Sequence, residues 1–238
     1  MAEPKVSVII HSYNRYEYLM NALKSVENQT YKNYEIILIN DDSQQKEYYE
    51  TDFGPKVKKI DIKKEETPNW KGSRQALINI GVNNADGKYI ALLDDDDIWL
   101  EEKLEIQINA LENSNEKFSS TEGYFGEGVY NPSINYKRYN SEHFLKILKK
   151  KYKKTDFLKK GVFPEIWDFA FLNIHNCIIK SSVMIEKELF QEVGGIRGLP
   201  EKADYDCWLS LLKLTNCLYI NEPLFYYDGL HGDGRKYN

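Results

Sequence analysis

The sequence has few cysteines and no long apolar run. Its three cysteines, Cys177, Cys207 and Cys217, form no C-x-x-C pair, so neither a disulfide framework nor a thiolate zinc site is indicated. The residues before the first apolar run are too few and too charged for a signal peptide, and no stretch approaches the ~18 apolar residues of a spanning helix. We therefore expect a cytoplasmic protein without a transmembrane segment.

An excess of basic charge is also missing. The 238 residues carry 32 Lys and Arg against 37 Asp and Glu, a net charge of −5, which argues against nucleic acid as the partner. Hydrophobic residues make up 42% and charged residues 29%, which is typical of globular proteins and not of disordered ones. No linker rich in Pro or Ser divides the chain, so we treat it as a single domain.

The first 110 residues alternate short β-branched runs with longer helical patterns, which is typical of β-α-β units and a mostly parallel sheet. The predicted strands are 6–10, 35–39, 56–62 and 89–93, and the predicted helices are 16–29, 73–83 and about 100–111. Later elements are a strand at 177–179, helices at 186–193 and 205–214, and two short strands within 218–227 that are split at Pro223. Residues between 114 and 175 show no clear topology.

Polar residues follow three of these strands. His11 to Arg15 follow the first, Asp41 and Asp42 the second, and four consecutive aspartates, Asp94 to Asp97, the fourth. Ligands of open α/β sheets bind beyond the carboxyl ends of the strands, so we expect these groups to converge. Crowded carboxylates repel unless a cation neutralises them, and oxygen ligands suit magnesium or manganese. The alternative is helix capping, for which Asp97 is suited if a helix begins near Trp99.

Three segments resemble family-2 glycosyltransferases of the GT-A fold. They read VSVIIHSYNR from Val6, YEIILINDDS from Tyr34 and GKYIALLDDDDIW from Gly87, and the resemblance resumes over residues 181–212. It implies an α/β domain with a Rossmann-like, mostly parallel sheet flanked by helices. In that domain, residues 1–113 bind the nucleotide sugar. Residues 114–238 form the acceptor side, with the catalytic base in segment 181–214.

The resemblance also implies a reaction. A sugar passes from a nucleoside-diphosphate sugar, usually a UDP-sugar, to a hydroxyl of a glycan, lipid-linked or protein acceptor, with inversion at the anomeric carbon. The implied cofactor is a divalent metal, Mn or Mg, which would stabilise negative charge on the leaving nucleotide. The implied donor-binding residues are Ser12, Tyr13, Asn14, Asp41, Asp94 and Asp95, and Asp96 is the implied metal ligand.

Asp204 matches the family's catalytic base, and Asp206 is the second choice. An N-cap of the following helix is the alternative role of Asp204. Ala203, however, stands where the family usually has Glu. This departure leaves open a different class of function, a nucleotide- or glycan-binding module without turnover.

Two further positions depart from the family pattern. Ile78 replaces a common Arg, and Arg74, one helical turn earlier, is our candidate for a phosphate contact. His231 lies near the position of a Tyr-Arg-x-His motif whose Arg is missing here, and it is our second candidate metal ligand. In each case a solvated surface residue is the alternative.

Aromatic and basic residues add weaker signals. Trp70, Trp99 and Trp167 are candidates for stacking on sugars, although core packing is more common for tryptophan. The lysine-rich segment 146–160 is either a solvated helix face or a basic amphipathic surface. It would allow peripheral contact with a membrane.

Overall fold

The computed structural model describes residues 3–66 and 74–232. The strands are β1 (Val6–Ser12), β2 (Tyr34–Asn40), β3 (Val57–Asp61), β4 (Tyr89–Asp94), β5 (Ile98–Trp99), β6 (Phe118–Gly126), β7 (Lys137–Arg138), β8 (Ile166–Trp167), β9 (Met184–Glu186) and β10 (Cys217–Asp228). The helices are α1 (Tyr16–Glu27), α2 (Glu47–Glu50), α3 (Ile78–Asn83), α4 (Lys103–Glu112), α5 (Leu145–Lys151), α6 (Phe169–Leu172), α7 (Lys187–Glu192) and α8 (Ala203–Leu211). Short 3₁₀ turns cover Lys64–Glu66, Arg74–Leu77 and Lys180–Ser182, and a π-helical turn covers Tyr139–His143.

The strands form one sheet in the order β3-β2-β1-β4-β9-β6-β10-β5, with β7 beside β6 and β8 beside β10. The strands of five or more residues, β1, β2, β3, β4, β6 and β10, all run in one direction. The short strands β5, β7, β8 and β9 run the other way. The predicted α/β fold with a mostly parallel sheet is confirmed, and the carboxyl ends of the long strands share one edge.

Both faces of the sheet are buried, because helices pack on each side. Side chains alternate along a strand, so neighbouring apolar residues belong to different clusters. Ile9 and Leu92 pack with α3, α7 and α8 on one face. Val8 and Leu93 pack with α1 and α4 on the other. This two-sided burial explains the nearly unbroken apolar letters of β1, β2 and β4.

The helix predicted at 186–193 is present as α7, and two glycines end it as expected. Gly194 and Gly195 have φ angles of +83° and +64°, which a residue with a side chain rarely adopts. The helix predicted at 73–83 is a 3₁₀ turn followed by α3, and residue 73 lies outside the described part of the chain. No helix among the described residues has both the length and the apolar character to cross a bilayer.

Two predictions for the later half are wrong in detail. Residues 177–179 are not a strand: the place beside β4 is taken by β9, and the Cys177 carbonyl accepts a hydrogen bond from the Asn140 side chain. The two strands expected within 218–227 form the single strand β10. Its register shifts on both sides of Pro223, where proline cannot donate to the ladder.

A buried carboxylate holds a turn in the middle of residues 114–175, for which the sequence gives no clear topology. Glu122 on β6 is fully buried and accepts hydrogen bonds from the backbone N–H groups of Asn140 (3.0 Å) and Ser141 (2.9 Å). It also accepts one from the Tyr219 hydroxyl at 3.0 Å. Buried acceptors and donors must be paired to avoid a desolvation cost. Glu122 therefore fixes the π-helical turn 139–143 against the sheet.

Glu122→Gln should destabilise the protein, because the amide NH₂ would face groups that are themselves donors. We expect the free energy of unfolding in urea to fall by about 1–3 kcal/mol. Glu127→Gln is the matched control, since Glu127 lies exposed just after the same strand. An equal loss in both variants would contradict the role given to Glu122.

Candidate active site

A cleft of about 610 Å³ lies at the carboxyl edge of the sheet. The ends of three long strands contribute to its wall: His11 from β1, Asp94 from β4 and Tyr227 from β10. Asp204 enters it from α8, and Tyr139 from the π-helical turn. The structure thus brings together residues that are far apart in sequence, at the place where α/β sheets bind ligands.

The four aspartates form a tight turn, and two cations pair with three of them. The N–H of Asp97 donates to the carbonyl of Asp94 at 3.2 Å. Nη1 of Arg15 lies 3.3 Å from Oδ1 of Asp95 and 2.9 Å from Oδ2 of Asp96. The Lys180 ammonium pairs with Asp94. Arg15 and Lys180 also line the cleft, so the site contains both signs of charge.

The pKa of Asp96 is raised to about 7. Burial is the main cause, repulsion from Asp94 and Asp95 adds to it, and Arg15 and Lys180 oppose it. Burial also raises the pKa of Asp95, against the opposing effects of Arg15 and of the hydrogen bond from Ser12. A further cation beside Asp96 would favour its charged form.

Asp97 does not cap a helix, so that alternative is wrong. It is 1% exposed, and α4 begins only at Lys103 because β5 intervenes. Its carboxylate accepts hydrogen bonds from the Ser181 hydroxyl at 2.5 Å and from the Asp228 N–H at 3.1 Å. Asp97 therefore ties the end of β4 to β10 and to the turn that carries Lys180.

The predicted nucleotide contacts at the ends of β1 and β2 differ in how they are placed relative to the cleft. Tyr13 lines the cleft, and its hydroxyl accepts a hydrogen bond from Lys64 at 3.1 Å. Ser12 is buried behind it and donates to Oδ2 of Asp95 at 2.7 Å. Asp41 is 3% exposed and lies 3.3 Å from Nε2 of His11, which faces the cleft.

Asn14 shapes the loop after β1. Its φ angle is +52°, its N–H donates to the Ser43 hydroxyl at 3.0 Å, and its side-chain oxygen accepts from the Gln44 N–H at 2.6 Å. The loops that follow β1 and β2 are thereby held together. Of the four predicted contacts at the ends of β1 and β2, Tyr13 thus lines the cleft, whereas Ser12, Asn14 and Asp41 support its wall.

Asp204 and Asp206, the two candidate bases, lie in different surroundings. Asp204 lines the cleft, and burial raises its pKa, with the Tyr205 backbone and Lys180 opposing. It is not the N-cap of α8, because that position belongs to Lys202 with a φ of +56°. Asp206 forms an ion pair with Arg197, at 2.6 Å from Nε. Of the two candidate bases, Asp204 lines the cleft and Asp206 does not.

The second candidate metal ligand lies in the cleft, whereas two of the candidate sugar-stacking tryptophans do not. Nδ1 of His231 lies 4.0 Å from Oδ2 of Asp96, and its Nε2 lies 3.4 Å from the Tyr227 hydroxyl. Trp99 and Trp167 are 2% and 0% exposed, so they belong to the core and offer no face to a sugar. Trp70 lies outside the described residues, and so does the side chain of Arg74.

Sequence reasoning assigned no role to several cleft residues, among them Arg15, Lys180, Tyr139 and Tyr227. Arg15 belongs to the polar run at the end of β1, so a signal for it was available. Lys180 carries no comparable signal, since its partner Asp94 is distant in sequence. Tyr139 lies in the segment without a recognisable pattern.

Asp96→Asn should change how stability depends on pH in the absence of divalent ions. A carboxyl whose folded pKa is raised to about 7 contributes stability below its unfolded pKa of ~4 and loses it as the pH rises through about 7. The free energy of unfolding of the variant, relative to that of wild type, should therefore rise by on the order of 1–3 kcal/mol from about pH 4 to about pH 8. Urea unfolding at both pH values checks this. Asp86→Asn, at a side chain that is 79% exposed, should not reproduce the gain.

Known proteins resemble this chain in sequence. An uncharacterized glycosyltransferase of Rickettsia conorii is 37% identical over 227 residues, which are 93% of this chain and 32% of that protein. The chain thus spans about a third of its length. The UDP-Glc:alpha-D-GlcNAc-diphosphoundecaprenol beta-1,3-glucosyltransferase WfaP of Escherichia coli is 31% identical over 218 residues, 87% of this chain and 70% of that protein.

Solved structures share the fold. S. aureus TarS 1–349 in complex with UDP-GlcNAc aligns with a TM-score of 0.63 at 15% identity, covering 96% of this chain and 60% of that one. The mannosyltransferase PcManGT from Pyrobaculum calidifontis, in complex with GDP-Man and Mn²⁺, aligns with a TM-score of 0.63 at 16% identity, covering 95% and 57%. The sequence model described as glycosyl transferase family 2 matches residues 7–179. The chain therefore belongs to glycosyl transferase family 2.

Proposed function

We propose that this cleft transfers a sugar from a UDP-sugar to an acceptor hydroxyl, with inversion at the anomeric carbon. The observation that carries the proposal is the meeting of Asp94, Asp96 and Asp204 in one cleft that also holds Arg15 and Lys180. The names of the relatives support it, since WfaP uses UDP-Glc and TarS was solved with UDP-GlcNAc.

The donor would lie against residues 1–113. Tyr13 and His11 line the part of the cleft proposed for the uracil or ribose, and Oδ2 of Asp41 lies 3.3 Å from Nε2 of His11. Arg15 and Lys180 place positive charge beside the diphosphate, where charge-assisted hydrogen bonds to phosphate are strong. Arg74 stays a candidate phosphate contact, and Asp94 and Asp95 remain candidates on the donor side.

A divalent metal, Mn or Mg, is part of the proposal. Among the described residues no group of three or more His, Cys, Asp or Glu side chains could hold a metal. These ions are commonly held by one or two carboxylates together with substrate phosphates, and Asp96, with Asp94 nearby, suits that role. His231 lies beside Asp96. When bound, the metal supplies positive charge that stabilises the leaving diphosphate.

Asp204 is proposed as the general base. Its deprotonated carboxylate would take the proton of the acceptor hydroxyl while the acceptor oxygen forms the new bond to the anomeric carbon and the bond to the diphosphate breaks. Burial raises its pKa, which strengthens it as a proton acceptor. The acceptor would approach from residues 114–238, whose Tyr139 and Tyr227 face the same cleft.

The name of one relative supports a proposal for the acceptor class. WfaP is named for an acceptor carried on diphosphoundecaprenol, so we propose a lipid-linked glycan here. We also propose that the protein works in the cytoplasm, because its three cysteines are free and buried and thus suit a reducing compartment.

A binding module without turnover is the second candidate. It is favoured by Ala203, which is 1% exposed and leaves no second carboxylate before Asp204. Ile78, likewise 1% exposed, lies in the core and cannot contact phosphate as an arginine would. The two candidates differ in whether the bound donor is consumed.

UDP binding tests the donor site that both candidates share. By calorimetry, wild type should bind UDP about tenfold or more tightly with Mn²⁺ than with EDTA, and Asp96→Ala should remove most of that difference. Asp86→Asn is the control with a carboxylate lost from the surface. Equal binding with Mn²⁺ and EDTA in wild type would exclude Asp96 as a metal ligand.

Turnover tests the base. In a panel of nucleotide sugars and lipid-linked acceptors, Asp204→Asn should lower the transfer rate by about 10²–10⁴-fold, whereas Asp206→Asn should leave most activity. In wild type the rate should rise with pH through the raised pKa of Asp204, because only the deprotonated carboxylate accepts a proton. Full activity of Asp204→Asn would refute its role, and UDP binding without any transfer would favour the binding module.

A further inference from the structure

The strongest charge feature outside the cleft is a run of lysines around α5. Residues 146–160 contain eight lysines, one aspartate and no arginine, in a chain of net charge −5. All eight lysines are exposed. We call this surface the lysine face, defined by Lys146, Lys149, Lys150, Lys151, Lys153, Lys154, Lys159 and Lys160.

Buried anchors turn these lysines outward. Leu148 and Tyr152 are 2% and 1% exposed and pack into the core. At about 100° per residue, Lys146 and Lys150 lie on the side of the helix opposite Leu148. Among the ion pairs of the described residues, only Lys159 of this set takes part, with Asp156. Most of the charge is therefore not neutralised by neighbouring carboxylates.

Apolar side chains are exposed among the lysines. Ile147 is 51% exposed, Val162 66% and Ile166 41%. Lysine stems lie along apolar surface while their ammonium groups reach outward, and interfacial surfaces combine cations with apolar residues that enter the headgroup region. Duplex nucleic acid fits less well, because it offers no apolar layer and its bases are read mainly by arginine.

We propose that the lysine face docks on an anionic phospholipid bilayer. Residues on both sides of the segment along the chain give this contact a purpose, because Tyr139 before it and Asn176 after it line the cleft. Docking would place the cleft near a membrane-held acceptor. That purpose rests on the proposed function, whereas the docking itself does not.

Vesicle flotation of the full chain tests the proposal. Wild type should bind phosphatidylcholine vesicles with about 30% phosphatidylglycerol and not vesicles of phosphatidylcholine alone, and about 0.5 M NaCl should release most of it. The variant K146Q/K150Q/K153Q/K154Q should lose roughly fivefold in partitioning per lysine, about two to three orders of magnitude in total. The matched control K24Q/K32Q/K46Q/K213Q removes the same charge from exposed positions elsewhere and should lose far less.

An equal loss of vesicle binding in both quadruple variants would show that only net charge matters, and it would overturn the proposal. So would equal binding to neutral and anionic vesicles, or retention by a short DNA duplex without vesicle binding. Thermal unfolding at the wild-type temperature shows that the variants are folded. UDP binding by the lysine variant, unchanged from wild type, separates loss of docking from failure of the donor site.

Discussion

The structure depends on burying a run of carboxylates at the end of a central strand. Asp95 and Asp97 are 6% and 1% exposed, and charged groups leave water only when they are paired and hydrogen-bonded. Their partners come from distant parts of the chain. Ser12 ends β1 and Arg15 follows it, Ser181 precedes β9, and the Asp228 N–H ends β10. Satisfying the carboxylates therefore forces these segments to meet, and the cleft lies where they do.

The buried carboxylate of Glu122 likewise holds distant segments together within residues 114–238. Glu122 receives hydrogen bonds from residues 140 and 141 and from Tyr219. Through them, a segment with little periodic structure is held in place, and Tyr139 is set into the cleft wall. Residues 1–113 are held by strands with two buried faces. The turn at 139–143 is held by hydrogen bonds to one side chain, an arrangement that tolerates different loop sequences more readily.

This difference explains what the sequence could predict. The strands β1, β2 and β4 follow from their apolar runs, because both faces are covered. Residues 114–175 give no pattern, since their elements are short and held by individual contacts such as that of Asn140 with Cys177. Among the site residues, Asp94, Asp96 and Asp204 follow from family resemblance. Lys180 does not, because only the fold shows which carboxylate a lysine meets.

The charge balance of the cleft links its architecture to the proposed reaction. Arg15 and Lys180 are already held near the carboxylates, so little reorganisation is needed when a diphosphate brings further negative charge. The diphosphate would interact with Arg15 and Lys180, and these two cations would then stabilise the charges of Asp94 and Asp96 less. The carboxylates thereby become better ligands for an accompanying divalent ion, and binding of diphosphate and ion should reinforce each other. Asp204 lines the same cleft and lies close enough to Lys180 and Asp94 for both charges to affect its pKa, which burial raises. In the proposed reaction, the leaving group and the acceptor hydroxyl would therefore be activated within one small space.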